Sequence, residues 1–315
     1  MPRLILRRLA VGVLIVWLVS VITFVMTQLL TGDAASRILE RATPEEIEAL
    51  RERLGLNAHP VRQYFNWLGG LVTGDLGDSL ATQKPVTELL GQLLGNSLIL
   101  MTAAALVSSP IAILAGTYSA MRRDRAADHV TSALTLILAA LPEFVVGIVL
   151  VMTFATGEWR IFPAVSIPEP GIPLWQQPTL LALPTMTLAI AVAPPITRMM
   201  RASMLEVLES DYVQMARLKG VPERTVILRH ALPNAIGPVA QVMALQLAWL
   251  AGGVVVVEYL FGFPGIGAAL VDSVDNRDLP VVQAITMVIA AAYVVVNICA
   301  DLVGIMSNAR LRTAL

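Results

Sequence analysis

The 315-residue chain is 56% hydrophobic and 14% charged, with a mean hydropathy of +0.72, whereas soluble domains carry about 25% charged residues. A chain this apolar cannot cover its own surface in water, which excludes a soluble globular protein and puts the surplus apolar surface against lipid. A net charge of −1 gives no basic footprint for nucleic acid, and a single cysteine, Cys299, excludes an internal disulfide or a cysteine metal cluster.

The amino terminus places Arg3, Arg7 and Arg8 before a charge-free run over residues 9–32. A cleaved signal has an apolar region of only about 7–15 residues, so this run reads as a retained first span. A transmembrane helix needs about 20 apolar residues, because each adds 1.5 Å across a core about 30 Å thick. Stretches 9–30, 97–120, 130–156, 180–197, 235–257 and 279–300 meet that length and predict six spans. Only the third holds a formal charge, Glu143, and the fourth holds Pro184, Pro194 and Pro195. Prolines are tolerated in spans where neighbouring groups satisfy the carbonyls they free.

Between spans one and two lies a long segment with its own character. Thr43-Pro44-Glu45-Glu46 is a helix start, Ile47, Leu50 and Leu54 follow at helical spacing, and Gly55 suits the end. Tyr64, Trp67, Leu68 and Leu71 then form one side of an amphipathic helix. Arg122, Arg123 and Arg125 lie between spans two and three. Arg198, Arg201, Arg217, Lys219, Arg224 and Arg229 lie between four and five, and Arg310 and Arg312 follow six. The opposite short connections carry only Arg160 and Arg277. Positive charge marks the cytoplasmic side, so both termini are expected there and the 31–96 segment outside. His59, His129 and His230 are far apart and read as ordinary polar residues near the boundaries, so no metal site is expected.

The connection between spans four and five is the most informative. It runs through Met199-Met200-Arg201-Ala202-Ser203-Met204, Asp211-Tyr212-Val213-Gln214-Met215-Ala216-Arg217-Leu218-Lys219-Gly220, Val221-Pro222-Glu223 and His230-Ala231-Leu232-Pro233-Asn234. Two short helices are predicted. The first ends in cations and a left-handed Gly220, the second starts at Pro222-Glu223, and Pro233 is expected to stop it. Tyr212, Met215 and Ala216 fall on one side of the first helix.

This stretch resembles the coupling loop of ABC importer permeases, whose pattern is Glu-Ala-Ala, three residues, Gly, nine residues, then Ile-x-Leu-Pro. Ala216 takes the second alanine, Gly220 the glycine, and Leu232-Pro233 the closing pair. Gln214, Met215 and His230 depart from the pattern as the peptide and nickel branch does. The resemblance covers nearly the whole chain. Leu54-Gly55-Leu56-Asn57, Gly74-Asp75-Leu76-Gly77 with Ser79, Pro85-Val86, Glu258, Phe261, Pro264-Gly265-Ile266-Gly267, Asp278-Leu279-Pro280, Asn297 and Asp301 are similar to that branch. Thr31-Gly32-Asp33-Ala34 and Asn308-Ala309-Arg310 depart from it.

The resemblance implies an all-α, six-helix type I importer permease. Residues 1–96 would form the first span with a small helical segment outside, and residues 97–315 a five-helix core holding the coupling loop, about 198–234. It implies a P-loop ATPase docked on the loop, a second homologous permease completing the pore, and an external substrate-binding protein. The coupling residues would be Asp211, Tyr212, Gln214, Met215, Ala216, Arg217, Gly220, Arg224, Leu232 and Pro233, moving solute by alternating access. Ala216 and Gly220 would be small for close approach, and Arg217 and Arg224 would offer charge. ATP and magnesium belong to the partner: the only lysines, Lys84 and Lys219, follow Gln83 and Leu218, so this chain has no Walker A loop and is expected not to be an enzyme. Di- or oligopeptides are the expected cargo, with nickel complexes and glutathione-like peptides as alternatives.

Glu143 follows Pro142 inside an apolar run, and a carboxylate in hydrocarbon is costly. Either it lines the pathway and meets a cationic group of the substrate, or it is a hydrogen-bonded packing residue. Asp301 is expected near the cytoplasmic end of span six, and Glu258 at an external boundary, where contact with a binding protein is one option. A proton-coupled carrier would use Glu143, but the chain lacks the internal repeat such carriers often show. A membrane enzyme would need converging catalytic groups, and neither HExxH nor GxSxG is present.

Overall fold

The computed structural model describes residues 2–29, 59–157, 160–169 and 171–307, with backbone only at 2–5 and 303–307. The helix expected from Thr43 to Gly55 lies outside the described residues, as do runs 31–34, 54–57 and 308–310. Five helices are long and apolar enough to cross a membrane, and a sixth span exists if one bent pair is counted as a crossing. The described residues form two compact units, and two helices contribute to both.

The first unit spans residues 2–97 and 264–294. Helix α1 (Pro2–Leu29) leaves apolar side chains such as Val13, Met26 and Leu29 exposed, as a lipid-facing helix must. Helix α2 (Pro60–Thr73) starts on His59, whose Nδ1 accepts the Val61 N–H, and closes on Gly74 at φ +84°. Its amphipathic side packs on α1: Phe24 meets Tyr64 edge-on at 5.4 Å and stacks on Trp67 at 6.0 Å, while Ser20 and Tyr64 share a hydrogen bond. A tight loop then leads to α3 (Val86–Met121), with Asp78 bridged to Pro85. Helices α9 (Ile266–Asp275) and α10 (Leu279–Ser307) complete this unit around Val86, Leu90, Ile266, Val281 and Ile285. The Pro264-to-Gly267 motif is pinned to α3: Asn96 Nδ2 donates to the Pro264 carbonyl, and the Ile266 N–H donates to Ser97 Oγ.

The second unit holds residues 98–263 and 295 onward. The expected third span is not one helix. Helices α4 (Ala126–Ala140) and α5 (Glu143–Phe154) meet at 106°. Leu141 is extended, at ψ 131°, because the ring of Pro142 disfavours the helical conformation in the residue before it. Helix α6 (Pro178–Leu208) packs along α4, α5 and α8 (Glu223–Phe261). Pro184 has no N–H for the Leu180 carbonyl, and Ser166 Oγ supplies the missing donor at 2.7 Å. The Ser166 N–H meanwhile satisfies the Phe261 carbonyl at the end of α8.

Pro233 does not end a helix, contrary to the sequence reading. The backbone over Val226–Ala231 is π-helical, with the Leu232 N–H bonded back to Ile227, and leads directly into the fifth span. The wider turn carries the chain past a residue that cannot donate, and Asn234 Nδ2 takes up the His230 carbonyl at 2.7 Å. Two cores fill this unit. One surrounds Val146, Leu188, Val254 and Phe261, and the other surrounds Ala112, Ile196, Met200, Met204 and Ala235.

Candidate functional site

Only Glu209 and Ser210 separate the end of α6 from α7 (Asp211–Leu218). Helix α7 turns Val213 completely inward. Its outer side carries Tyr212, Met215 and Leu218, three and six residues apart, with Leu218 82% exposed. Leu228 on α8 is also exposed. Asp211, Gln214, Lys219 and Arg224 are exposed, and Ala216 is half-buried. An apolar row with polar flanks is the face of a helix that fits a groove.

The end of α7 is a Schellman turn: the Val221 N–H reaches the Ala216 carbonyl at 3.2 Å and the Gly220 N–H reaches Arg217 at 2.9 Å. Gly220 sits at φ +76°, and a Cβ there would meet nothing within 4 Å. Within this chain its glycine is therefore required by backbone conformation, not by space. Arg217 closes the loop on itself. Its Nε and Nη2 grip both Glu223 carboxylate oxygens at 3.1 and 2.7 Å, and Nη1 reaches the Leu208 carbonyl at 3.4 Å. That pairing pushes the Arg217 guanidinium up from its ordinary range and keeps it charged. Tyr212 Oη donates to the His230 carbonyl at 3.3 Å. Leu232 packs on the core around Met200 and Ala231, while Pro233 is exposed.

Behind the loop lies a polar cluster that sequence reasoning missed. The Asp128 carboxylate, 2% exposed, accepts Ser119 Oγ at 2.5 Å, Arg201 Nε at 2.6 Å, Arg201 Nη2 at 2.7 Å and the Asp124 N–H at 3.1 Å. Arg123 pairs with Glu209 beside α7. The signal in the sequence is a second acid, three residues after Arg125 and two before the apolar run that starts at Val130.

Glu143 is not part of this assembly. It is the first residue of α5, half-buried, where free helix N–H groups favour a carboxylate, rather than the middle of a continuous span. Glu258 is completely buried by its own chain, which removes it from the surface expected for it. Asp301 is half-buried in α10. Among the described residues no group of three or more His, Cys, Asp or Glu is placed to hold a metal.

Residues 109–313 match the family described as binding-protein-dependent transport system inner membrane component, and residues 1–99 match its N-terminal region. The chain is 34% identical over 317 aligned positions to a putative peptide permease protein of Brucella ovis, covering 99% of both chains. It is 32% identical over 314 positions to the glutathione transport system permease protein of Escherichia coli K12, again covering 99% of both. A probable peptide ABC transporter permease protein of Sinorhizobium fredii is 33% identical over 310 positions, covering 98% of both.

Proposed function

Because this chain belongs to the inner membrane components of binding-protein-dependent transport systems, we propose that it lines the pore of an ATP-driven importer of di- or oligopeptides. It is a multi-pass inner-membrane transport subunit. In our reading a P-loop ATPase binds ATP and magnesium and seats a groove over Tyr212, Met215 and Leu218. Its nucleotide-driven movement passes through residues 214–220 into the spans, switching the pore between inward-open and outward-open. A second homologous permease completes the pore, an external binding protein delivers the peptide, and both termini face the cytoplasm.

The observation that carries this reading is the apolar outer side of α7, held out by an internally satisfied loop. A helix this short is not stable in water by propensity alone, so its order comes from the Arg217–Glu223 grip and the buried Val213. Peptides as cargo are supported by the names of the Brucella and Sinorhizobium relatives. Import of glutathione-like peptides is the second reading, supported by the Escherichia relative.

Purification of the tagged chain from its native host in mild detergent, with mass spectrometry of what accompanies it, tests the reading. Recovery of a P-loop ATPase and a second permease is the expected result, and ligand screening of the associated binding protein then identifies the peptide. A chain recovered alone or as a homodimer across several detergents would refute the importer assembly and favour a carrier.

A further inference from the structure

The Asp128 cluster joins three parts of the chain at one carboxylate: Ser119 at the end of α3, Asp128 in the first turn of α4, and Arg201 two turns before the end of α6. A buried ion pair is weak evidence for stability, because desolvation offsets most of its attraction. What a guanidinium fork on a carboxylate supplies is a fixed orientation. The backbones come close beside it as well. A Cβ on Gly116 of α3 would lie 2.5 Å from the Thr197 carbonyl oxygen and 3.0 Å from the Arg201 nitrogen of α6. Helices α3 and α6 therefore approach main chain to main chain next to the clamp.

The clamp sits between two mechanically distinct parts. On one side α6 runs on to Leu208, and α7 follows after two residues, tied back by Arg217 to the Leu208 carbonyl, while Glu209 of the linker pairs with Arg123 in the connection just before α4. On the other side α4 is a helix of 15 residues that ends at the 106° bend before α5. A displacement of α7 carried by the end of α6 reaches α4 at Asp128, the base of that helix, and the joint at Leu141-Pro142 lies at its far end.

We propose that the Asp128–Arg201 pair is a positioning clamp that passes movement of α7 into α4 and so to the bend between α4 and α5. The proposal rests on the reading of α7 as the ATPase-docking helix. Asp128 and Arg201 act through the helices they join and touch no substrate.

The test uses the whole complex of this chain with the subunits that co-purify with it. Cys299 is replaced by Ser, and spin labels are placed at the exposed positions Leu136 on α4 and Met152 on α5. The distance between labels is measured without nucleotide and with ATP and vanadate. In the otherwise unmutated complex nucleotide shifts the distance. In Asp128→Asn the shift falls by roughly fivefold, the scale expected when coupling is weakened. Arg201→Lys, which keeps the charge and loses the fork, gives an intermediate value. A merely structural pair would lower yield or melting temperature and leave the shift intact.

An undiminished shift in both variants overturns the proposal, and so does failure of both to assemble with the ATPase, which would make the pair a folding determinant only. A nucleotide-independent distance in the unmutated complex overturns it too, with the docking reading intact. Absence of any ATPase on the unmutated chain instead sinks the docking reading itself.

Discussion

The Ser79 hydroxyl donates to Oδ2 of Asp278 at 2.5 Å, joining positions 199 residues apart. The same carboxylate accepts the N–H groups of Leu80 at 3.0 Å and Ala81 at 3.3 Å, and Ser79 Oγ accepts the Thr82 N–H at 3.0 Å. Two motifs that look unrelated in sequence, Gly74-Asp75-Leu76-Gly77 with Ser79 and Asp278-Leu279-Pro280, thus meet at a buried cap on the start of α10.

Asp278→Ala removes the acceptor for one hydroxyl and two main-chain donors, and each donor stranded away from water costs about 1–3 kcal/mol. Ser79→Ala removes one hydroxyl and strands the Thr82 N–H alone. Thermal unfolding in detergent is expected to show a clearly larger loss of melting temperature for Asp278→Ala. Equal losses would mean that water satisfies the loop.

Ser166→Ala leaves the Leu180 carbonyl, freed by Pro184, without a donor. Pro184→Ala restores a main-chain N–H to the same carbonyl. In a double-mutant cycle Ser166→Ala is expected to cost about 1–2 kcal/mol with Pro184 present and distinctly less in the Pro184→Ala background. Additive effects would show that the two groups do not share the carbonyl.

Gly116 and Gly220 are glycines for opposite reasons, and substitution separates them. Gly116→Ala drives a methyl into the α6 backbone and is expected to lower stability by about 1–3 kcal/mol. At Gly220 the space is open and only the left-handed backbone resists, so Val should cost about 1–2 kcal/mol, and Asn, which tolerates that conformation, much less. Melting curves of the three variants decide this. If Gly220→Asn keeps its melting temperature but no longer brings down the ATPase, the glycine also serves close approach of the partner.

Leu218→Cys, in a chain with Cys299→Ser, tests orientation. The side chain at 218 is exposed on α7, so in a chain expressed without its ATPase a membrane-impermeant maleimide should label it in inside-out vesicles and not in intact spheroplasts. Labelling from outside would reverse the orientation drawn from Arg122, Arg123, Arg198 and Arg201.

The spans were legible because lipid imposes a length, and a run such as 279–300 has no other way to be satisfied. The amphipathic α2 was legible through Tyr64 and Trp67, and the Gly220 turn through its cations and glycine. What escaped was geometry written in exceptions to periodicity. Leu141-Pro142 looked like one more tolerated proline inside an apolar run, because sequence shows that a proline frees a carbonyl but not whether a neighbour replaces the bond. At Pro184 Ser166 does so and the helix stays whole, whereas at Pro142 the chain bends by 106°. Asp128 and Arg201 are 73 positions apart, and no local pattern joins them.

Val226, Ala231, Ala235 and Val239 are all completely buried, and the first step between them is five residues where the others are four. One residue turns a regular helix by about 100°. The π-helical stretch therefore works as a phase shift. Fifth span and loop share one rod, yet each keeps its own angular origin. Removing a single residue from 226–231 would turn Glu223 by about 100° relative to the fifth span and swing it away from Arg217. The angle at which Glu223 meets Arg217, and with it the fastening of α7, is set by that one surplus residue, and the composition of either half does not determine it.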